Sequence, residues 1–330
     1  MRKKPEVEIY TPREATYDAS DMVFYPESDL SFLCFDSLRR YRDLFRLYQP
    51  SHPYNGLSDE AFCERLGFVV SIDGKYRLTK AGMLLFGFDY KVRRFFPFYA
   101  LSYRNSEDVY ALNAPDTVIE TLSGTWSGAL FDFFMDATSS FASRSRLLRL
   151  DNNKQALMMQ VFRELLSLVL CNVDFEVDTG IEVQIDNKRV YAQFGGRPTE
   201  LPFGQVAVNP TIANALACLN LAKRRGMGVP FVNKILKELG YSRLEIHQNQ
   251  GCITFEIDKE KSINDRQIPD ENAFEAFLLN KRKGDIFSRA DIIKATGKSP
   301  AMASIYIKNA LNEKAISVAP GYRRSKYIKN

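Results

Sequence analysis

Histidine is scarce in this chain: two in 330 residues, His52 and His247, far apart and in unrelated contexts. A HExxH zinc site is thereby excluded, and a histidine pair is a poor candidate for catalysis. The five cysteines (Cys34, Cys63, Cys171, Cys218 and Cys252) are widely spread and contain no CxxC pair. That argues against a disulfide scaffold or a zinc knuckle and suits a reducing compartment. No GxxxxGK[ST] phosphate loop occurs, which removes a P-loop motor such as a helicase. No uninterrupted apolar run is long enough to span a bilayer, and the opening MRKKPEVEIYTPREATYD lacks the apolar core of a signal peptide. The expectation is a cytoplasmic protein with no membrane partner.

What is present is ample material for a core. At 45% hydrophobic content the chain can bury large cores, divided over about two or three domains. Residues 1–30 mix charges, prolines and aromatics without a clear period and read as an extended arm. From Phe32 to Leu47 the apolar residues Phe35, Leu38, Tyr41, Leu44 and Phe45 recur at helical spacing. Arg39, Arg40, Arg42 and Arg46 lie between them, giving a basic face that is either solvated or phosphate-contacting. Ser58 reads as an N-cap for DEAFCERLGFV, with Gly67 closing that helix. A hairpin is expected about Asp73-Gly74, followed by the apolar run LTKAGMLLFG. FFPFYALSYR (95–104) reads as a buried strand. Residues 116–135 carry Val118, Ile119, Leu122, Trp126, Leu130, Phe133 and Phe134 in a helical pattern interrupted near Gly124. The single tryptophan is read as core or interface.

The stretch RELLSLVLCNVDF, 163–175, spaces its apolar residues as a mostly buried helix ending at Asn172–Asp174, where short polar side chains compete for backbone groups. It resembles the nucleotide-site helix of the histidine-kinase-like (GHKL) ATPase domain in bacterial RecG-like transcriptional regulators, which reads roughly R-E-A-L-x-N-A-L-x-H-R-D-Y. Arg163, Glu164, Leu166, Leu170 and Asp174 match, and Phe175 is conservative. Leu168 stands where the family has Asn, and Asn172 where it has His. Two later segments extend the resemblance. A hairpin through Asp186-Asn187 leads to Gly195 and Gly196, where the family has N-P-G-G, and paired glycines serve either a plain turn or a close ligand approach. Asn209-Pro210-Thr211-Ile212-Ala213, a helix over 216–222, and Arg225-Gly226-Met227-Gly228-Val229 resemble R-N-P-L-I-A and E-x-x-G-T-G-I. LTKAGMLLFG also belongs to the resemblance, which spans about residues 30–258.

The resemblance implies an ATP site in which the Glu orients water and the Asn ligates magnesium, a cation that demands oxygen ligands. Glu164, Gly195, Gly196, Gly226 and Gly228 would form it here, with Gly226 and Gly228 bringing N–H groups to a phosphate. Leu168 offers no lone pair to a metal. Glu164 is therefore either a buried structural carboxyl or a base. The expectation is a degenerate core that needs no cofactor, with ATP and magnesium as the alternative. The family usually carries an Alba-type (Schlafen-like) DNA-binding module upstream, and residues 1–30 are too few to hold one.

Residues 259–272 are polar, contain Pro269 and read as a linker. Beyond them come AFEAFLLNK as a first helix and FSRADIIKATG as a second, with Ser288 as N-cap and Gly297 as stop. A third follows with Ser299 as cap and Pro300 at its first position, then two short strands about Pro320-Gly321. This order resembles the winged helix-turn-helix of bacterial regulators. From Leu278 onward 12 basic residues face 3 acidic ones, a local +9 within a total of +5, so the rest of the chain carries −4. Concentrated positive charge suits phosphate binding. Ala303, Ile307, Ala310 and Leu311 form the inward stripe of the third helix. Ser299, Met302, Ile305, Lys308, Asn309 and Asn312 are then candidates for contact with DNA, and Arg323, Arg324 and Lys326 for a wing. An outward Ile is also what a winged helix used for protein docking would show.

The expected architecture is α+β: a helical and hairpin layer over 31–150, a degenerate GHKL-like α/β sandwich over 151–258, and a winged helix over 273–330. The expected function is a DNA-binding transcriptional regulator that acts on double-stranded DNA as a homodimer. An ATP-binding protein or slow ATPase and a protein-interaction module stand as alternatives.

Overall fold

In the computed structural model the described residues are 21–107, 116–124, 126–147, 152–198, 203–223, 226–249 and 251–259. In the C-terminal part they are 274, 277–278, 281, 283–296, 300–312, 315–319 and 326–329. At helix positions 145–147, 300–302, 305, 309 and 312 the description covers the backbone alone. The chain divides into two compact units, Met1–Ile263 and Asn264–Asn330. Both mix helices and strands. Among the described residues no helix is long and apolar enough to cross a membrane.

The first unit begins with a helical layer. Helix α1 (Phe35–Tyr48) buries Leu38, Tyr41 and Phe45. Its arginines meet carboxylates rather than forming an open basic face: Arg39 with Asp36, Arg40 with Asp136 and Arg46 with Asp43. Arg42 is buried between Asp59 and the Phe62 ring. Helix α2 (Asp59–Arg65) starts at Ser58, whose hydroxyl accepts from the Ala61 N–H. Strands β1 (Val69–Ile72) and β2 (Lys75–Leu78) turn through Asp73 and Gly74, both at positive φ, as a primed two-residue hairpin requires.

Helix α3 (Lys80–Phe86) is buried along its whole length. Its cap Thr79 donates to Gly67 O at 2.7 Å and accepts from Gly82 N at 3.1 Å. Gly82 lies directly on the preceding backbone, so a Cβ there would sit 1.9 Å from Phe68 O. Tyr41 ties this layer together, with its ring among Phe45, Phe62, Phe68, Phe86 and Phe131.

Three expectations change here. Residues 21–30 are not a free arm: Asp21 and Tyr25 are buried, and Phe24 bridges Thr79. Residues 1–20 of that arm lie outside the described residues. The expected strand over 95–104 is shorter, because Phe95 closes helix α4 (Asp89–Phe95) and only Leu101–Asn105 forms strand β3. The helical reading of 116–135 fails in its first half. Thr117–Glu120 is strand β4, an antiparallel partner of β3, and the helix begins at Leu130. A short apolar run carries no decisive period, and pairing with a partner 12 to 18 residues away decides it. Trp126 is half-buried beside Phe133 and donates to Asp136 at 3.1 Å.

Helices α5 (Leu130–Leu147) and α6 (Asn152–Asn172) cover one face of a six-stranded sheet. Its further strands are β5 (Ile181–Ile185), β6 (Arg189–Gly196), β7 (Glu245–Asn249) and β8 (Gly251–Asp258). The order is β4-β3-β5-β6-β8-β7, parallel only between β3 and β5. Ile181, Val183, Val190, Ala192, Phe194 and Phe255 face the helices, while Glu182, Gln184, Tyr191 and Gln193 line the other side half-buried. The sheet runs through the boundary expected at residue 150, so 31–150 and 151–258 share one core.

Helix α7 (Pro210–Cys218) replaces the helix expected over 216–222. It ends where Asn220 takes a left-handed φ of 54°. Helix α8 (Gly228–Leu239) stops at Gly240 in the left-handed region.

The second unit has its own core of Phe274, Phe287, Ile292, Ala303, Tyr306, Ile307, Ala310, Ile316 and Tyr327. Strand β9 (Ile286–Ser288), unforeseen in the sequence, precedes helices α9 (Arg289–Thr296) and α10 (Pro300–Asn312). Strands β10 (Ile316–Val318) and β11 (Lys326–Lys329) complete a sheet of order β10-β11-β9. Ser288 and Asp291 cap α9 reciprocally: the Ser hydroxyl accepts from Asp291 N, and the carboxylate accepts from Ser288 N.

Gly82→Ala is expected to destabilise the protein by about 3 kcal/mol in urea unfolding, since a backbone oxygen blocks the new methyl group. A loss below about 1 kcal/mol would contradict this packing of α3 on Phe68.

Candidate functional site

The site is built on the C-terminal half of α6. This half is buried, and its last carbonyls are answered by Asn209. The Asn209 side chain donates to Val173 O at 2.8 Å and Leu170 O at 3.4 Å, and its backbone N–H donates to Cys171 O at 2.9 Å. Pro210 then occupies the first turn of α7, where no N–H is needed. Between α6 and α7 lies a cleft of about 350 Å³. Glu164, Ser167, Leu168, Cys171 and Asn172 line it from α6, and Pro210, Ala213 and Asn214 from α7. The loops around Gln205 and Lys223 complete its walls.

Glu164 is the carboxyl of this cleft. Both of its oxygens accept from one donor, the Lys223 N–H, at 3.1 and 3.2 Å. Burial pushes its pKa above the ordinary 4.5, against the opposing pull of the Lys223 amide and ammonium. Burial also pushes the Cys171 thiol up, so that it stays neutral. The Ser167 hydroxyl is placed to donate to Leu221 O at 2.6 Å or Arg163 O at 2.8 Å. The Lys223 ammonium lies 4.4 Å from the centre of the Phe231 ring.

Of the residues singled out for a nucleotide, Glu164 and Gly226 line the cleft, and Gly228 packs against it. A Cβ on Gly228 would sit 2.6 Å from Glu164 Oε1 and 2.9 Å from Leu168 Cδ2. Leu168 is accommodated from the other side by Gly204, whose Cβ would come within 3.2 Å of it. These glycines therefore make room for Glu164 and for Leu168.

Gly195 and Gly196 do not form the expected turn. They are the last residues of β6, paired with Cys252 and Gly251. A Cβ on Gly195 would meet Thr179 O at 2.4 Å, and one on Gly196 would meet Ile253 at 2.5 Å. Close approach of the loop before β5 accounts for the first, and packing against β8 for the second. Among the described residues no cluster of His, Cys, Asp and Glu could hold a metal ion.

Sequence reasoning missed Asn172, Asn214, Gln205 and the Lys223 amide as parts of the cleft. Asn172 had been read as a helix stop and as the residue standing where the resembled family has His, and α7 ends at Cys218 rather than continuing to Ala222.

In the second unit Lys308 is exposed and Lys326 half-buried. Ser299, Arg323 and Arg324 lie outside the described residues, as do the side chains of Met302, Ile305, Asn309 and Asn312. Arg289 is exposed and donates to Ser304 at 3.2 Å, linking the start of α9 to α10.

The raised Glu164 pKa has a definite sign. Its contribution to stability is fully present below the ordinary value and is lost as pH rises through the raised one. Glu164→Gln fixes the uncharged form. Its stability relative to the parent is expected to rise with pH from about pH 4 upward, since the charged form is the one that burial disfavours. Urea midpoints across that range measure this, and a difference constant with pH would contradict a desolvated carboxylate.

Comparison with known proteins places only part of this architecture. A family model for a domain of unknown function, DUF8451, matches residues 11–102. No curated protein matches the chain. Among solved structures the chain is similar to the DIP2311 protein from Corynebacterium diphtheriae, a target of the Northeast Structural Genomics Consortium. The TM-score is 0.52 at 13% identity, over 92% of this chain and 69% of that one. At that identity the likeness concerns the fold alone. The family match covers the helical layer from α1 to the start of β3, and the cleft at Glu164 lies beyond it.

Proposed function

We propose that this protein is a DNA-binding regulator that engages double-stranded DNA through its C-terminal unit, with the first unit as scaffold or sensor. The observation that carries the reading is a separate, cored unit in which a winged-helix element order coincides with the chain's positive charge. Phe274, Phe277 and Leu278, each helical, are followed by β9, α9, α10, β10 and β11. Strand β9 closing onto the β10–β11 ribbon is the sheet that such a fold uses to brace its wing. The buried stripe Ala303, Tyr306, Ile307 and Ala310 leaves Ser304 and Lys308 exposed on the third helix. Met302, Ile305, Asn309 and Asn312 belong to the same helix, and we assign them the base-reading role, with Arg323, Arg324 and Lys326 on phosphates. A two-fold dimer on paired half-sites, acting in the cytoplasm, is part of the proposal.

The resemblance to RecG-like regulators supports the same reading, with a core that has lost its magnesium ligand. Leu168 in the cleft wall gives a metal no oxygen, and Glu164 would repel a phosphate chain that lacked one. We therefore assign the first unit no ATP turnover.

Fluorescence polarisation with mixed-sequence duplex DNA across a salt series tests the proposal. Expected for the full chain is affinity at or tighter than about 10⁻⁶ M at low salt, weakening steeply as salt rises. A chain ending at Asp258 should lose it. Changing Arg323 and Arg324 to Ala should lower the log–log slope by about one to two. Absent binding, or binding indifferent to salt, would reject the DNA reading.

A further inference from the structure

We propose that the cleft between α6 and α7 is a receptor site for a small organic cation, an amidinium or ammonium compound with a compact apolar body, held by Glu164 as counter-ion. This inference rests on the sensor reading of the first unit. It concerns residues separate from those assigned to DNA.

Size sets the first limit. A cleft of about 350 Å³ is at the small end of ligand pockets. Its walls are largely apolar, from Leu168, Pro210, Ala213 and Ala222. The loops that supply Gln205, Ala207 and Gly226 to the lining also carry Val206, Val208 and Met227, which are exposed. Apolar surface thus continues beyond the cleft itself.

The polar chemistry gives the sign of the ligand. Glu164 is 4% exposed, and among the described residues its two oxygens share a single N–H donor, that of Lys223. A carboxylate offers about four acceptor positions, so most of its capacity is unused. Ser167 directs its proton to a backbone carbonyl, and Asn172 directs an amide N–H to Leu168 O at 2.7 Å. Among the described lining residues Lys223 is the one cation, and its ammonium rests over the Phe231 ring rather than on Glu164.

Along α6 the cleft therefore presents acceptors around one carboxyl with unused bonding capacity. A ligand N⁺–H forms charge-assisted bonds there and favours the ionised form that burial disfavours. A carboxylate or phosphate ligand meets repulsion at the same point, with no metal ligand at Leu168 to relieve it.

Isothermal titration of the full chain with benzamidine, with benzoate of matched shape and opposite charge, and with Mg-ATP tests the proposal. Benzamidine is expected to bind about tenfold or more tightly than either competitor. Glu164→Gln should weaken it by about tenfold or more, and Ala213→Phe, which fills the cleft from α7 without touching the carboxyl, should do the same. The thermal midpoint of each variant reports whether it is folded, and either variant alone suffices. No heat with benzamidine, equal or tighter binding of benzoate or Mg-ATP, or undiminished benzamidine affinity in the folded variants would overturn the proposal. Duplex binding measured on the same samples judges the regulator reading separately: its absence beside intact benzamidine binding would reject that reading and leave the cleft assignment standing.

Discussion

The end of a buried helix is a demanding place, because its last carbonyls have no partners within the helix and no water to turn to. Helix α6 meets this demand with a residue from elsewhere in the chain. Asn209 supplies three donor contacts to the carbonyls of Leu170, Cys171 and Val173. A hydrogen bond of this kind contributes about 1 kcal/mol, and a buried carbonyl left bare costs about 1–3 kcal/mol. The Asp174 N–H in turn donates to Gly195 O, which fixes the same helix end to β6. The position of α7, and so the width of the cleft, follows from how α6 is finished.

This arrangement has a second effect at α7. Asn209 occupies the capping position of that helix, yet its side chain is engaged with α6 and makes no cap. The cap comes instead from Asp21, whose carboxylate accepts from the Ile212 N–H at 3.0 Å across 191 residues of sequence. Tyr41 reinforces the link by donating to Ala215 O at 2.9 Å. The N-terminal layer is therefore joined to the wall of the cleft by directional bonds as well as by apolar packing. Asp21, Phe24, Tyr25 and Ser28 are buried accordingly, although the composition of this stretch resembles an arm.

What could be read in the sequence was whatever local chemistry determines. Ser58 and Ser288 are caps because a hydroxyl meets an orphan N–H within one turn. Asp73-Gly74 and Asp186-Asn187 turn because their neighbours alternate, and α6 stops at Asn172 as its polar residues require. Several errors share one cause, which is that the deciding partner lay outside the segment itself. Strand β4 looked helical through Val118, Ile119 and Leu122 until β3 claimed it. Gly195 and Gly196 suggested a phosphate turn, whereas their neighbours across the fold are Thr179 and Ile253. Strand β9 is three residues long and exists through its pairing with β11. The candidate site followed the same division. Glu164, Gly226 and Gly228 were named from the sequence, but the cleft that unites them depends on Asn209 and on α7 ending early.

The chain's one tryptophan, Trp126, belongs to the first unit, held to Asp136 and edge-on to Phe133. The second unit has tyrosines and phenylalanines but no indole. Emission excited at the red edge of protein absorbance thus sees one unit and is blind to the other. If the units melt at different temperatures, the indole trace and the far-ultraviolet circular dichroism trace will separate, and the gap between them reads out the independence of the two folds without any label or truncation.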